Sequence, residues 1–188
     1  MATWHATTPT LPTSVSSPIG LVTQLTAKAA GASEVCITDI DQKILDIAKK
    51  VGADYTLLVK SRDAKEVAEQ LEDLMGEKAE ITIECSGAAP SVQTAIYATQ
   101  PGGRVMLVGL GQAEVTLPIV NAAVREVDIL GVLRYVNCYP TALSMVASGK
   151  VDVKPLITHR FNLEETLQAF ETTARGEGIK VMINCGGS

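Results

Sequence analysis

Apolar and polar positions alternate in blocks along this chain, and the block lengths predict helices and strands in regular succession. Residues 18–30 (PIGLVTQLTAKAA) read as a helix, with proline tolerated in its first turn and Gly31 at its exit. Residues 34–38 (EVCIT) form a short buried strand ending at Asp39. Over residues 41–51 the side chains of Ile44, Leu45, Ile47, Ala48 and Val51 fall on one helical stripe, closed by Gly52. The alternation continues with a strand at 55–59, a helix at 64–75, a strand at 79–85 and a helix at 91–99. A Pro101-Gly102-Gly103 turn then leads into strands at 104–109 and 127–133. Past Tyr135 come a helix (140–148), an extended segment (156–161), a helix (163–174) and a last strand (179–184). Strands separated by helices of these lengths predict an α/β fold, a Rossmann-like doubly wound parallel sheet.

The first 17 residues break the pattern. They hold five Thr, two Pro and three Ser with no strand-length apolar run, so the expectation is a loose tail. Composition narrows the core. Hydrophobic residues make up 46% of the chain but aromatics only 4%, so the interior must be aliphatic, as suits strands covered on both faces. The net charge of −5 is spread without any Lys/Arg block, which argues against nucleic acid or an anionic membrane as partner. Cys36, Cys85, Cys138 and Cys185 lie roughly 50 residues apart, unlike the closely spaced pairs of local zinc sites. They read as structural thiols of a reducing, cytoplasmic compartment.

A dinucleotide-binding unit begins with a buried strand, a G-x-G-x-x-G turn at a helix start, and an acid about 20 residues on. Gly20 holds the third glycine position, and Asp39 follows 19 residues later at a strand end. A carboxylate there accepts hydrogen bonds from ribose hydroxyls and repels the extra phosphate of NADP, so the half-motif prefers NAD. The first two glycine positions hold Val15 and Ser17, and Thr/Pro-rich residues stand where the first strand belongs. The expectation is therefore a sheet lacking its central first strand. Each backbone group left unpaired there costs about 1–3 kcal/mol, against a total domain stability of about 5–15 kcal/mol.

Several segments, in order, carry a family likeness: Pro18-Ile19-Gly20-Leu21-Val22, Ile37-Thr38-Asp39, Ile81-Thr82-Ile83-Glu84-Cys85-Ser86-Gly87 and Leu107-Val108-Gly109-Leu110-Gly111. They are followed by Val124-Arg125-Glu126-Val127-Asp128-Ile129, Leu133-Arg134-Tyr135 and Val153-Lys154-Pro155-Leu156-Ile157-Thr158-His159. From Pro18 to its end the chain resembles the sorbitol dehydrogenase (L-iditol 2-dehydrogenase) branch of the zinc-containing medium-chain alcohol dehydrogenases. The resemblance implies an incomplete NAD-binding domain at 18–135 and a C-terminal segment of the catalytic domain at 136–188. It implies that Ile19 and Gly20 line the pyrophosphate turn and that Asp39 binds the adenosine ribose. Cys85, Ser86 and Gly87 would sit at a strand end near the adenine side, and Val108, Gly109 and Leu110 beside the nicotinamide. Val132, Leu133 and Arg134 would meet the nicotinamide carboxamide and ribose by main chain, and Arg134 and Tyr135 the polyol hydroxyls. Tyr97 and Tyr139 read as packing residues.

The family's zinc is held by a Cys, a His and a Glu of an N-terminal domain with no counterpart here. Of the two histidines, His5 lies in the tail and His159 in the C-terminal segment. No catalytic or metal-ligating residue is expected, and NAD binding is expected to be weak or lost. One reading is a truncated NAD-dependent polyol dehydrogenase. Another is a pseudo-enzyme that binds a dinucleotide or joins family subunits, as a homo-oligomer or with full-length partners. A third is a chain without a stable fold of its own.

Overall fold

A computed structural model of the chain describes residues 10–14 and 18–186. Six strands form a parallel sheet in the order β3-β2-β1-β4-β5-β6. They are β1 (Thr10–Ser14), β2 (Glu34–Asp39), β3 (Tyr55–Leu58), β4 (Ala79–Glu84), β5 (Thr99–Leu107) and β6 (Asp128–Gly131). Between them run α1 (Pro18–Ala29), α2 (Gln42–Lys50), α3 (Ala64–Met75), α4 (Ala89–Ala98) and the short α5 (Ile119–Ala123). The chain then forms α6 (Tyr139–Ala147), β7 (Ile157–Asn162), α7 (Thr166–Ala174) and β8 (Lys180–Asn184), with β7 and β8 pairing as a separate parallel ribbon. The doubly wound sheet expected from the pattern is present.

The expected gap at its centre is not. Thr10–Ser14 pairs along its whole length with β2, from Thr10↔Glu34 to Ser14↔Thr38, and with β4 at Thr13↔Ile83 and Ser14↔Glu84. The loose tail is thus corrected over these five residues, while residues 1–9 and 15–17 lie outside the described ones. Side-chain patterning concealed this strand, because Thr10-Leu11-Pro12-Thr13-Ser14 offers a single large apolar residue and a proline that central strands avoid. Backbone demand overrides that pattern. The flanking strands β2 and β4 present rows of N–H and C=O groups that burial obliges to pair. The ladder to β4 begins only past Pro12, whose nitrogen has no hydrogen to give.

Strand β2 shows how two layers of helices are held. Val35 and Ile37 face a cluster with Leu21 and Ala27 of α1 and Leu45 and Ala48 of α2. Cys36 points the other way, onto Ala68, Leu71 and Met75 of α3 and Ala98 at the end of α4. Leu156 and Ile179, from the C-terminal part, join the first of these clusters. Local capping sets the helix limits. Asp41 accepts the Lys43 amide at 2.9 Å to start α2, and Asp63 accepts that of Lys65 at 2.9 Å to start α3. Gly76, with φ of 82°, ends α3 in the left-handed conformation.

Two details depart from the pattern reading. Strand β5 starts at Thr99, ahead of the Pro-Gly-Gly turn, through a register shift between Ala79 and Ile81 on its partner. Helix α5 is too short for any periodicity to reveal. It is tied in by Arg125, whose guanidinium donates to Asn121 Oδ1 at 2.7 Å, to Ile96 O at 2.6 Å and to Thr99 O. A cation on the last carbonyls of α4 also complements the helix dipole.

Candidate functional site at the carboxyl edge of the sheet

Register brings the strand ends together. Ser14 lies beside both Thr38 and Glu84, Glu84 beside Leu107, and Leu107 beside Gly131. The segments that follow, 39, 85–87, 108–111 and 132–135, therefore leave from one edge, which is where ligands bind in open α/β sheets. Helix α1 starts four residues after Ser14, so Gly20, which is buried, and Ile19, 54% exposed, belong to the same edge. Val15 and Ser17 lie outside the described residues.

Asp39 is 6% exposed. Its Oδ1 accepts the backbone N–H of Asp41 at 2.8 Å, while its Oδ2 is buried with no partner among the described residues. Burial raises its carboxyl above the ordinary aspartate value, opposed by the amides of Asp41 and Ile40 and reinforced by the Asp41 charge. A buried acceptor with a free lone pair fits a hydroxyl donor arriving from outside.

Two glycine turns cross in the middle of the edge. Gly87 has φ of +74°, a conformation that L side chains rarely adopt. A Cβ on Gly109 would fall within 3.0 Å of the Gly87 nitrogen, and one on Gly87 within 3.0 Å of the Leu110 carbonyl carbon. The two turns therefore pack main chain against main chain, an approach that only glycine permits at these positions. Ser86 and Gly87 are bound to the carboxylate of Glu84, a residue to which the sequence pattern assigns no role. The signal was there: an acid closing an apolar strand two residues before Ser86-Gly87. Cys85 is buried, and burial pushes its thiol up to about 11, so it is an apolar wall and not a nucleophile.

The far end of the edge is open. Val108 and Gly109 are half-buried, whereas Leu110 is 81% exposed. Val132 donates to Leu107 O at 3.0 Å, and Leu133 is 71% exposed. Arg134 is exposed, with a positive φ of 59°. Tyr135 is exposed, and its ring tilts against that of Tyr139 at 5.3 Å. Tyr139, expected as packing, is thus 68% exposed and belongs to this open end. Tyr97 is half-buried under the Lys65 ammonium, 5.6 Å from the ring centre.

Among the described residues no three His, Cys, Asp or Glu side chains converge as a metal site, so zinc does not fit the residues at this edge. No helix among them is long and apolar enough to cross a membrane.

Comparison with known proteins points one way. Residues 18–148 match the family profile described as Zinc-binding dehydrogenase. Sorbitol dehydrogenase of Gallus gallus is 53% identical over 170 residues, covering 90% of this chain and 48% of that protein. Sorbitol dehydrogenase of Mus musculus is 54% identical over 168 residues, covering 89% and 47% respectively. The chain spans about half the length of the curated relatives it matches. A Sinorhizobium meliloti protein, described as a zinc-binding dehydrogenase and solved bound to NADP, superposes with a TM-score of 0.81 at 26% identity. That superposition covers 94% of this chain and 51% of the other.

Proposed function

Because the chain belongs to the zinc-binding dehydrogenase family, we propose that its six-stranded sheet is the coenzyme half of an NAD-dependent polyol dehydrogenase, oxidising sorbitol or L-iditol to a ketose. The observation that carries this reading is the buried Oδ2 of Asp39, without a partner among the described residues, at the same edge as the glycine crossing. Asp39 accepts the adenosine ribose hydroxyls. Its charge disfavours a 2′-phosphate, so NAD is the preferred coenzyme of this chain. Ile19 and Gly20 approach the pyrophosphate, and Cys85, Ser86 and Gly87 flank the adenine side. The backbone of Val108, Gly109 and Leu110 lies along the nicotinamide end. Val132, Leu133 and Arg134 meet its carboxamide and ribose, and Arg134 with Tyr135 orients the polyol hydroxyls. NAD supplies the hydride acceptor when bound. Among the described residues no set of His, Cys, Asp or Glu is placed to hold zinc.

A second reading, a dinucleotide-binding or subunit-joining chain without turnover of its own, is favoured by the scatter of metal-donor side chains among the described residues. Two measurements on the full chain separate the readings. NADH titration by fluorescence is expected to show binding, and absence of binding defeats the first reading and leaves only the subunit-joining form of the second. Sorbitol-dependent NADH formation, assayed with zinc analysis of the same sample, is expected to be absent. Turnover by this chain alone would leave the first reading standing and remove the second.

A further inference from the structure

Glu84 closes β4 with 0% exposure, and no ligand contact proposed above involves it. Its carboxylate accepts the backbone N–H of Ser86 at 2.8 Å and that of Gly87 at 2.9 Å, together with the Ser86 hydroxyl. Its own carbonyl accepts the N–H groups of Val108 at 2.8 Å and Gly109 at 2.9 Å. One residue thus holds both crossing turns, the 85–87 turn by its side chain and the 108–111 turn by its main chain. A buried charge is costly unless hydrogen-bonded. Here the compensating donors come from the very turn that the carboxylate closes, which ties the charge to one backbone geometry.

We infer that Glu84 is a positioning residue: its carboxylate fixes the 85–87 turn beside the 108–111 turn that its own carbonyl holds, and so shapes the backbone floor of the dinucleotide site. The lock stands on the geometry alone, and its consequence for a ligand rests on the function proposed above. Glu84→Gln keeps the size and one acceptor oxygen but sets an NH2 group against the Gly87 amide.

The test is residue-resolved amide hydrogen exchange on the full chain, paired with NADH titration of wild type and E84Q. Exchange at Ser86 and Gly87, whose N–H groups the carboxylate accepts, is expected to accelerate by about 10-fold or more, as for loss of a hydrogen bond to a charged group. Ala95 and Ile96 in α4, which a general loss of stability would also expose, are expected to keep their wild-type rates. NADH affinity is expected to fall by a similar factor.

Unchanged exchange at Ser86 and Gly87 in folded E84Q overturns the lock. Local acceleration with undiminished NADH affinity overturns its role as the floor of the site. A wild-type chain that fails to bind NADH overturns the dinucleotide reading and the floor together, while exchange still reads the lock. Should E84Q not fold, Ser86→Ala removes the hydroxyl's bond to Glu84 together with its acceptance of the Ala88 N–H at 3.1 Å, and exchange at Gly87 is expected to rise by about 2- to 3-fold. No rise there overturns the lock as well.

Discussion

Strands β2 and β6 belong to one sheet and end at one edge, yet they are finished in opposite ways. In β2, Val35, Cys36 and Ile37 are each 0% exposed, with α1 and α2 on one face and α3 and α4 on the other. In β6, paired only with β5, Leu130 is 42% exposed, and beyond it Val132, Leu133, Tyr135 and Val136 stand 42% to 81% exposed. The buried strand delivers a carboxylate into a position fixed by packing. The edge strand delivers Arg134 and Tyr135 into solvent. In the proposed reading, recognition of the adenosine end is therefore built by this chain's own core. The other end of the edge, in that reading the nicotinamide and polyol end, carries the exposed apolar side chains of Leu130, Val132, Leu133, Tyr135 and Val136.

The largest effect that sharpens this contrast is on stability. Ile37→Ala removes a fully buried side chain from β2 and is expected to cost about 2–5 kcal/mol. Leu130→Ala on β6 is expected to change stability by no more than about 0.5 kcal/mol, as at other exposed positions. Urea denaturation of the two variants measures both. Equal losses would mean that β6 is as enclosed as β2 in solution, and the contrast would be gone.

Asp39 tests whether the enclosed end is organised for a ligand at the expense of the fold. Because burial raises its folded carboxyl, the folded chain holds the proton more tightly than the unfolded one. The stability contributed by that proton is present below the ordinary aspartate value and is lost as pH rises through the raised folded value. At neutral pH the ionised side chain is thus a net cost, and Asp39→Asn is expected to be the more stable protein. The gain should shrink as pH falls toward about 4, where aspartate titrates when exposed. NADH binding should move oppositely, weakening roughly 10- to 100-fold with the loss of charge-assisted hydrogen bonds. A variant that is less stable at pH 7, or that binds NADH as wild type does, would break the link between this strand end and the coenzyme.

The same contrast explains what the sequence made legible. Elements buried on both sides announce themselves: 34–38 and 79–85 read as strands, and the stripe at 44, 45, 47, 48 and 51 as a helix, because their packing leaves a periodic residue pattern. Thr10–Ser14 left none. It is specified by the backbone groups of its neighbours, a demand that no property of its own five residues records. Asp39 and Gly20 were legible from their spacing. The role of Glu84 was not, since it depends on two turns 20 or more residues apart in the chain meeting across one strand end. Arg125 carries a family likeness, but its place under the last turn of α4 follows from tertiary packing alone.

The smallest expected effect concerns Cys36, on the α3/α4 side of β2. Burial, with a lesser push from the Asp54 charge, raises its thiol to about 12, whereas an unfolded cysteine ionises near 9.0. Above the lower value the unfolded chain loses a proton that the folded chain keeps. Stability contributed by the neutral thiol is therefore complete below pH 9.0 and drains away up to about 12. One pH unit into that window the loss is about 1.4 kcal/mol. Wild type should accordingly lose about that much more stability than Cys36→Ala between pH 8 and pH 10, read from urea midpoints at the two values. Exposed Cys138 and Cys185 provide the internal reference, since they should react with a thiol reagent at once while Cys36 and Cys85 wait for unfolding. If Cys36→Ala lost as much stability as wild type, or if all four thiols reacted together, the face of β2 under α3 and α4 would be open to water. The buried strand would then be no better protected than the edge strand it is set against.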